Sequence, residues 1–422
     1  MLNIKLFREN PELIKSNQKK RHESDKIVDN IIGFDNKWRS ALKKVEMLKA
    51  KRNKVSQEIN QSKKSGKSAA SKITEMKRVA DDIRKMDETA NNLLNQRINL
   101  QMRIGNILHD SVPYGKDDNA NVEIKKIGAV PRFSFTPKGH VDLVGPLGYD
   151  SERATKIAGA GFNYLIGDIA VLDQAIQRFT IDFMIKKKKY TLIHPPLMMN
   201  RKAYAGVTDL GDFETVMYKI DNDDLYLIAT AEHPMAAMFA GEVLTKQSLP
   251  IKFCGFSPCF RREIGSHGKY SKGLYRTHQF YKMEQFIFCE PKDSWKFHEE
   301  LQKNSEELYK ALEIPIRVVN VCTGDIGTVA AKKYDIEGWY ADGKYRELGS
   351  NSNCTEYQAT RLNIKYLDGK DKRYVHTLNN TAIATSRTMI CLIESHQKKD
   401  GTIKIPKVLW KYTGFKEMTP KK

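Results

Sequence analysis

Apolar residues along the first quarter of the chain recur in alternating steps of four and three. From Ile27 they run through Ile31, Phe34, Trp38, Ala41, Val45 and Leu48, then Arg52, Val55 and Ile59. This spacing keeps one stripe facing a partner helix, so it predicts a helix with a coiled-coil seam. The run Ser62-Lys63-Lys64-Ser65-Gly66-Lys67-Ser68 interrupts the pattern with small, polar and glycine residues, as a hairpin tip does. A second seam follows through Ile73, Met76, Ala80 and Ile83, slips phase once, and resumes at Met86, Ala90, Leu93, Arg97, Leu100, Ile104 and Ile107. Two helices of about 35 residues, joined by a tip near 62–70, predict an antiparallel rod about 50 Å long. Ahead of it, Asn10-Pro11-Glu12 supplies a cap, a proline at the first helical position and an early acid, predicting a short helix to about Arg21.

Polar, turn-rich Val112 to Asn119 reads as a linker, which divides the chain into an arm, 1–112, and a second domain, 113–422. Short apolar runs at Leu225–Ala229, Ile251–Cys259, Met283–Cys289 and Ile316–Val321 predict strands, with helices over Ile169–Ile185 and Ser294–Leu312. Neighbouring strands joined by hairpins imply an α+β domain with a central antiparallel sheet flanked by helices.

The length of 422 residues leaves room for a large core, and 40% hydrophobic content fits a globular chain. No apolar run reaches membrane-spanning length, and Met1 to Asn10 alternates polar with apolar residues, so no membrane association and a cytoplasmic location are expected. The net charge of +20 points to a polyanionic partner. Residues 1–110 hold 25 Lys and Arg against 14 Asp and Glu, so about half the surplus lies in the rod region. A self-associating coiled coil or a solvated spacer would show the same seam, but the basic outer face favours RNA. Six cysteines, without a Cys-x-x-Cys pair or zinc-finger spacing, read as buried thiols, and no structural zinc is expected.

The densest chemistry lies in Cys259-Phe260-Arg261-Arg262-Glu263, a glycine-rich basic stretch, and then Gly273-Leu274-Tyr275-Arg276-Thr277-His278-Gln279-Phe280-Tyr281-Lys282-Met283-Glu284. Arg261 and Arg276 are planar cationic forks suited to phosphate or carboxylate oxygens, and Phe280 offers a face for a base. Glu263 and Glu284 can accept protons from an exocyclic amine or an ammonium group. Such a set suits a nucleoside triphosphate together with an amino acid. The string resembles motif 2 of the class II aminoacyl-tRNA synthetases, and in detail that of the seryl-tRNA synthetase family.

The remaining motifs follow the resemblance in order. Ile169 to Met199, a helix, a basic patch and a strand at Tyr190–His194 before Pro195-Pro196, is similar to motif 1, which implies a homodimer. Thr230, Ala231 and Glu232 match a loop that lines a serine pocket. Tyr345 to Cys354, with Tyr357 to Arg361, looks like a nucleotide-metal loop in which Glu347 and Ser350 hold Mg²⁺ and Leu348 and Gly349 meet ATP. Here Gly349 replaces a frequent Ser, Asn351 a Cys and Thr360 a second Arg. Leu378 to Arg387 resembles motif 3, which assigns Thr381 to the amino acid and Arg387 to the γ-phosphate. Arg262, Glu263, Thr277 and Phe280 complete the expected ATP contacts, and Gly265 to Lys269 the motif 2 hairpin tip.

The resemblance implies ATP-dependent activation of L-serine and transfer to tRNA(Ser), with Arg261, Arg387 and Glu347 as catalytic residues. It leaves open whether tRNA(Sec) is also charged. A synthetase-like tRNA-binding paralogue without aminoacylation is the alternative, but it would be expected to lose at least one of Arg261, Glu284, Glu347 and Arg387. No P-loop or dinucleotide-type glycine motif competes for the nucleotide.

Overall fold

The computed structural model describes residues 1–208, 216–263 and 273–421, and these form two compact units, Met1–Ile107 and Leu108–Lys422. The expected hairpin tip, Gly265 to Lys269, lies outside the described residues.

The first unit is helical: α1 (Ile4–Glu9), α2 (Pro11–Lys20), α3 (Lys26–Lys64) and α4 (Ala70–Gln101). Asn10 caps α2 as its sequence requires, its side chain accepting from the Leu13 N–H. The preceding short helix, α1, was not anticipated. Along α3 the seam residues Ile31, Ala41, Val45 and Val55 are buried, whereas Arg52 is exposed. On α4 the phase slip does not occur. Val79, not Ala80, is the buried residue, so the 4-3 alternation through Met76, Ile83, Met86 and Ala90 is unbroken. The larger side chain takes the inward position, where it removes more apolar surface from water. α4 also ends at Gln101, short of Ile104 and Ile107.

Three of these helices are tied by one buried carboxylate. Asp35, with a side chain only 2% exposed, receives Arg8 through Nε at 2.7 Å and Nη2 at 2.9 Å, and Arg97 through Nη1 at 2.7 Å. Burial opposes ionisation, but the two arginines outweigh it and hold the carboxyl below its usual range. Arg97 also lies over the Trp38 ring, at 4.7 Å from its centroid.

The second unit is built on an eight-stranded sheet. Its strands are β1 (Val122–Ile127), β2 (Thr191–Ile193), β3 (Ile251–Phe260), β4 (Gln279–Cys289), β5 (Ile316–Asn320), β6 (Lys332–Trp339), β7 (Tyr345–Asn353) and β8 (His376–Ala384). Their spatial order is β1-β5-β6-β7-β8-β4-β3-β2. All pairs are antiparallel except β2 with β3, so the sheet is mixed at that edge. Tyr345 to Asn353, expected as a loop, is strand β7 in mid-sheet. Its alternation is masked because polar Asn351 and Asn353 are fully buried. The predicted strand Leu225–Ala229 shortens to Tyr226–Leu227.

The flanking helices used below are α5 (Asp168–Asp182), α6 (Glu232–Ala237), α7 (Ser294–Ala311) and α8 (Thr385–Ser395), α5 continuing into a π-helical turn at Phe183–Lys187. Phe297, Leu301 and Leu308 of α7 enter the main core with Ile287 and Leu378 of the sheet. Beside them runs a polar seam. Asn304 donates to Gln285 Oε1 at 2.8 Å, Gln285 to Asn380 Oδ1 at 2.6 Å, and Ser305 to the Thr381 backbone oxygen at 3.2 Å. Such bonds have fixed geometry, so they clamp β4 against β8 where Glu284 and Thr381 pair in register. Val112 to Asn119 hydrogen-bonds within this unit, through Thr323 to Pro113 and Gly115 to Thr323. Among the described residues, no helix is long and apolar enough to cross a membrane.

Candidate active site

One face of the sheet and the helices around it enclose a cavity of about 370 Å³. Thr230 and Glu232 reach it from the start of α6, and Arg261 and Glu263 from the end of β3. Thr277, Phe280 and Glu284 arrive on and just before β4. Glu347, Leu348, Gly349 and Ser350 come from β7, Thr381 from β8, and Arg387 from the first turn of α8. Two predicted residues do not border it. Ala231 is fully buried in a neighbouring apolar cluster with Tyr204, Ile228 and Met235. Arg262 is exposed, and its backbone N–H donates to the Val216 carbonyl at 2.9 Å.

Backbone irregularities set the side-chain directions. In a regular strand residues i and i+3 point to opposite faces. On β7 the register skips Leu348, with Glu347 opposite Glu337 and Gly349 opposite Ile336, and this bulge lets Glu347 and Ser350 border one cavity. A second register shift, between Thr381 and Ile383 on β8, lies beside Glu284. At α6, the Thr230 hydroxyl accepts from the Glu232 N–H at 3.2 Å, so the residue expected to read an amino acid also turns the chain into the helix.

Charges of both signs meet here. Arg387 Nη1 donates to the Glu347 backbone oxygen at 3.0 Å and lies 3.4 Å from its carboxylate, while the guanidinium covers the Tyr275 ring at 5.0 Å. The Glu347 side chain is 48% exposed, toward the cavity. Partial desolvation at the cavity wall disfavours charge, but Arg387, Lys333 and Arg261 prevail and hold the carboxyl below its usual range. Arg261 lies over Phe280, 5.3 Å from the ring centroid. Arg276 pairs with Glu263 at 2.8 Å, so that carboxylate already has a cationic partner. Thr381 Oγ1 donates to Glu284 Oε2 at 3.4 Å. Burial, then the charge of Glu284, push Glu232 up to about 7.

Sequence reasoning left several cavity residues without a role. Lys282 lies two residues before Glu284 on the same strand face, and strand alternation alone would have placed it there. His233 adjoins Glu232, and burial pulls its imidazole down to about 3. Asn379 borders the cavity and donates to the buried Cys354 thiol at 3.5 Å. No cluster of three or more metal-capable His, Cys, Asp or Glu side chains occurs among the described residues.

Comparison with known proteins adds two domain matches. Residues 1–108 match the seryl-tRNA synthetase N-terminal domain, and 214–396 the class II core domain of the G, H, P, S and T synthetases. The serine–tRNA ligase of Methanocella arvoryzae is 50% identical over 98% of both chains, and that of Pyrococcus horikoshii is 47% identical over 100% of this chain and 98% of its own. Among solved structures, the Pyrococcus horikoshii seryl-tRNA synthetase complexed with ATP superimposes with a TM-score of 0.93 at 46% identity, each chain fully covered. The cytoplasmic serine–tRNA ligase of Naegleria fowleri in complex with AMP gives 0.87 at 35% identity, covering 100% of this chain and 99% of its own. Full-length relatives at this identity, together with both domain matches, establish that the chain belongs to the seryl-tRNA synthetase family.

Proposed function

We propose that the cavity joins L-serine to ATP and that the enzyme then charges tRNA(Ser). A serine carboxylate oxygen attacks the α-phosphorus as the bond to pyrophosphate breaks, giving seryl-adenylate. The terminal ribose hydroxyl of the tRNA next attacks the seryl carbonyl, and AMP leaves. The observation that carries this reading is the convergence of Arg261, Glu284, Glu347 and Arg387 on one cavity from β3, β4, β7 and the start of α8.

Arg261 would bridge the serine carboxylate and the α-phosphate, and Glu284 would take the ammonium group. Thr230, Glu232 and Thr381 surround the amino acid, with Ala231 acting through the turn it packs rather than by contact. Phe280 stacks the adenine, Thr277 and Glu263 lie beside it, and Arg387 binds the γ-phosphate. With no nucleophilic side chain in these roles, acceleration comes from in-line positioning and fixed positive charge at the phosphates.

Magnesium fits this site as an ion arriving with the nucleotide. Glu347, kept ionised by its cationic neighbours, and the Ser350 hydroxyl offer two hard oxygen donors on one cavity. Bound there, Mg²⁺ would neutralise phosphate charge. The basic helical arm would grip tRNA phosphates. Exposed Val171, Ile185, Leu197 and Met198, all within Ile169 to Met199, favour a homodimer through motif 1. A cytoplasmic location follows from these substrates.

Charging of unfractionated tRNA with each labelled amino acid tests the reading. Serine alone should be incorporated, and only into serine acceptors, selenocysteine tRNA being scored separately. Incorporation of another amino acid, or none, refutes it.

A further inference from the structure

Lys282 and Glu284 project from the same face of β4, their side chains only 8% and 1% exposed, with Lys282 Nζ 2.5 Å from Glu284 Oε2. A buried ammonium at that distance is held by charge-assisted hydrogen bonding. The same Oε2 also receives the Thr381 hydroxyl. One carboxylate oxygen is thereby committed to the protein, and an ammonium from a ligand would take Oε1.

A second carboxylate borders the cavity, Glu232, which receives a weak hydrogen bond from Gln358 at 3.3 Å. Burial and Glu284 raise it, while Lys282 and Arg261 lower it. Among the described residues, His233, held neutral, and the Cys259 thiol, which burial pushes up, also sense Lys282. The local set is therefore two carboxylates facing two cations, Lys282 and Arg261. A zwitterionic amino acid brings one charge of each sign. With its carboxylate on Arg261 and its ammonium on Glu284, the amino acid adds one charge of each sign and leaves the net charge of this set unchanged.

We propose that Lys282 is a positioning residue for the amino acid: it fixes Oε2 of Glu284 and offsets the second carboxylate, so that the pocket shows one uncompensated negative charge to the substrate ammonium. This rests on the serine-activating reading. Without Lys282, two carboxylates would face each other unbalanced, and one would hold a proton at neutral pH.

The test is serine-dependent pyrophosphate exchange by full-length Lys282→Gln and Lys282→Arg, with KM for serine and for ATP and kcat measured from pH 6.5 to 8.5. Lys282→Gln should raise KM for serine by about tenfold at pH 7, and the defect should shrink as pH rises and the shared proton leaves. KM for ATP should stay within about twofold, and Lys282→Arg should recover most of the loss, because the interaction lost is a charge contact to the amino acid. A pH-independent loss in both variants would overturn the proposal in favour of packing alone. A loss in KM for ATP, with serine unaffected, would overturn it in favour of a phosphate contact. Should Lys282→Gln not fold by thermal melting, a Lys282→Arg enzyme whose KM for serine is raised tenfold overturns it, and a near-native value supports it. If the unmodified enzyme shows no exchange with serine, the serine reading fails first, whatever the variants do.

Discussion

The Cβ that Gly349 lacks would stand 2.6 Å from the Cβ of Thr381 on the neighbouring strand. The absent side chain therefore makes room for the present one, whose hydroxyl reaches Glu284. Gly349→Ser should push Thr381 aside, raising KM for serine about tenfold and costing about 1–3 kcal/mol of stability as overpacking. Exchange kinetics and a thermal melt measure both. Unchanged serine dependence would show that Thr381 does not set the pocket.

Glu284→Gln keeps the shape of the side chain and removes its charge. KM for serine should rise by about 10²-fold while KM for ATP stays within a few fold, because a charge-assisted contact to an ammonium is lost. Titration of each substrate at saturation of the other decides it, and a shift in the ATP dependence would misplace the amino acid.

Much of this arrangement was legible in the chain, for identifiable reasons. Coiled-coil periodicity and the Asn10-Pro11 cap are local signals, and α2 to α4 follow them. Arg261, Arg276, Glu263 and Glu284 were legible from their clustering in one stretch, whereas Thr230, Leu348, Gly349 and Thr381 came only through the resemblance. What escaped was non-local. Val79 or Ala80 could each continue the seam, and only packing against α3 selects Val79. Strand β7 was hidden because two polar residues are buried in it: Asn353 accepts from the Thr355 N–H at 3.0 Å, and Asn351 points into a polar seam supplied by α7. There Asn351 donates to the His298 carbonyl at 2.9 Å and to Gln302 at 3.2 Å. The three departures from the family pattern also separate in space: Gly349 borders the cavity, whereas Asn351 and Thr360 do not.

Three imidazoles, His298 fully buried and His233 and His376 half-buried, each add to the acid sensitivity of the fold. Burial pulls His233 down to about 3, and His298 and His376 to about 4. Folded values below the unfolded value mean that the unfolded chain binds protons first as pH falls. Stability is then complete above about pH 6.5 and falls below it by up to about 1.4 kcal/mol per pH unit for each group. Glu232, raised to about 7, and Asp335, raised to about 8, act with the opposite sign in the same window, so denaturant melts between pH 7.5 and 4.5 read the net, and His298→Gln should lose less stability on acidification than the unmodified chain. The same acid loss in His298→Gln as in the unmodified chain would contradict the assignment.

The arm and the cavity lie in separate compact units. Replacing residues 27–108 with a short bridge should leave serine activation largely intact and cripple charging, with a weaker salt dependence of tRNA binding, because fewer phosphate contacts release fewer counterions. Assaying exchange and charging on one preparation decides it. Equal loss of both would assign the arm to folding, and retention of both would remove it from tRNA binding.

The most direct measurement is ATP–pyrophosphate exchange across the twenty amino acids, run on the unmodified chain and on Arg387→Ala and Glu347→Ala. Exchange should depend on serine alone and fall about a hundredfold or more in either variant, since each removes charge stabilisation that matters most in the transition state. Exchange driven by another amino acid, or undiminished serine exchange in folded Arg387→Ala or Glu347→Ala, would contradict the account.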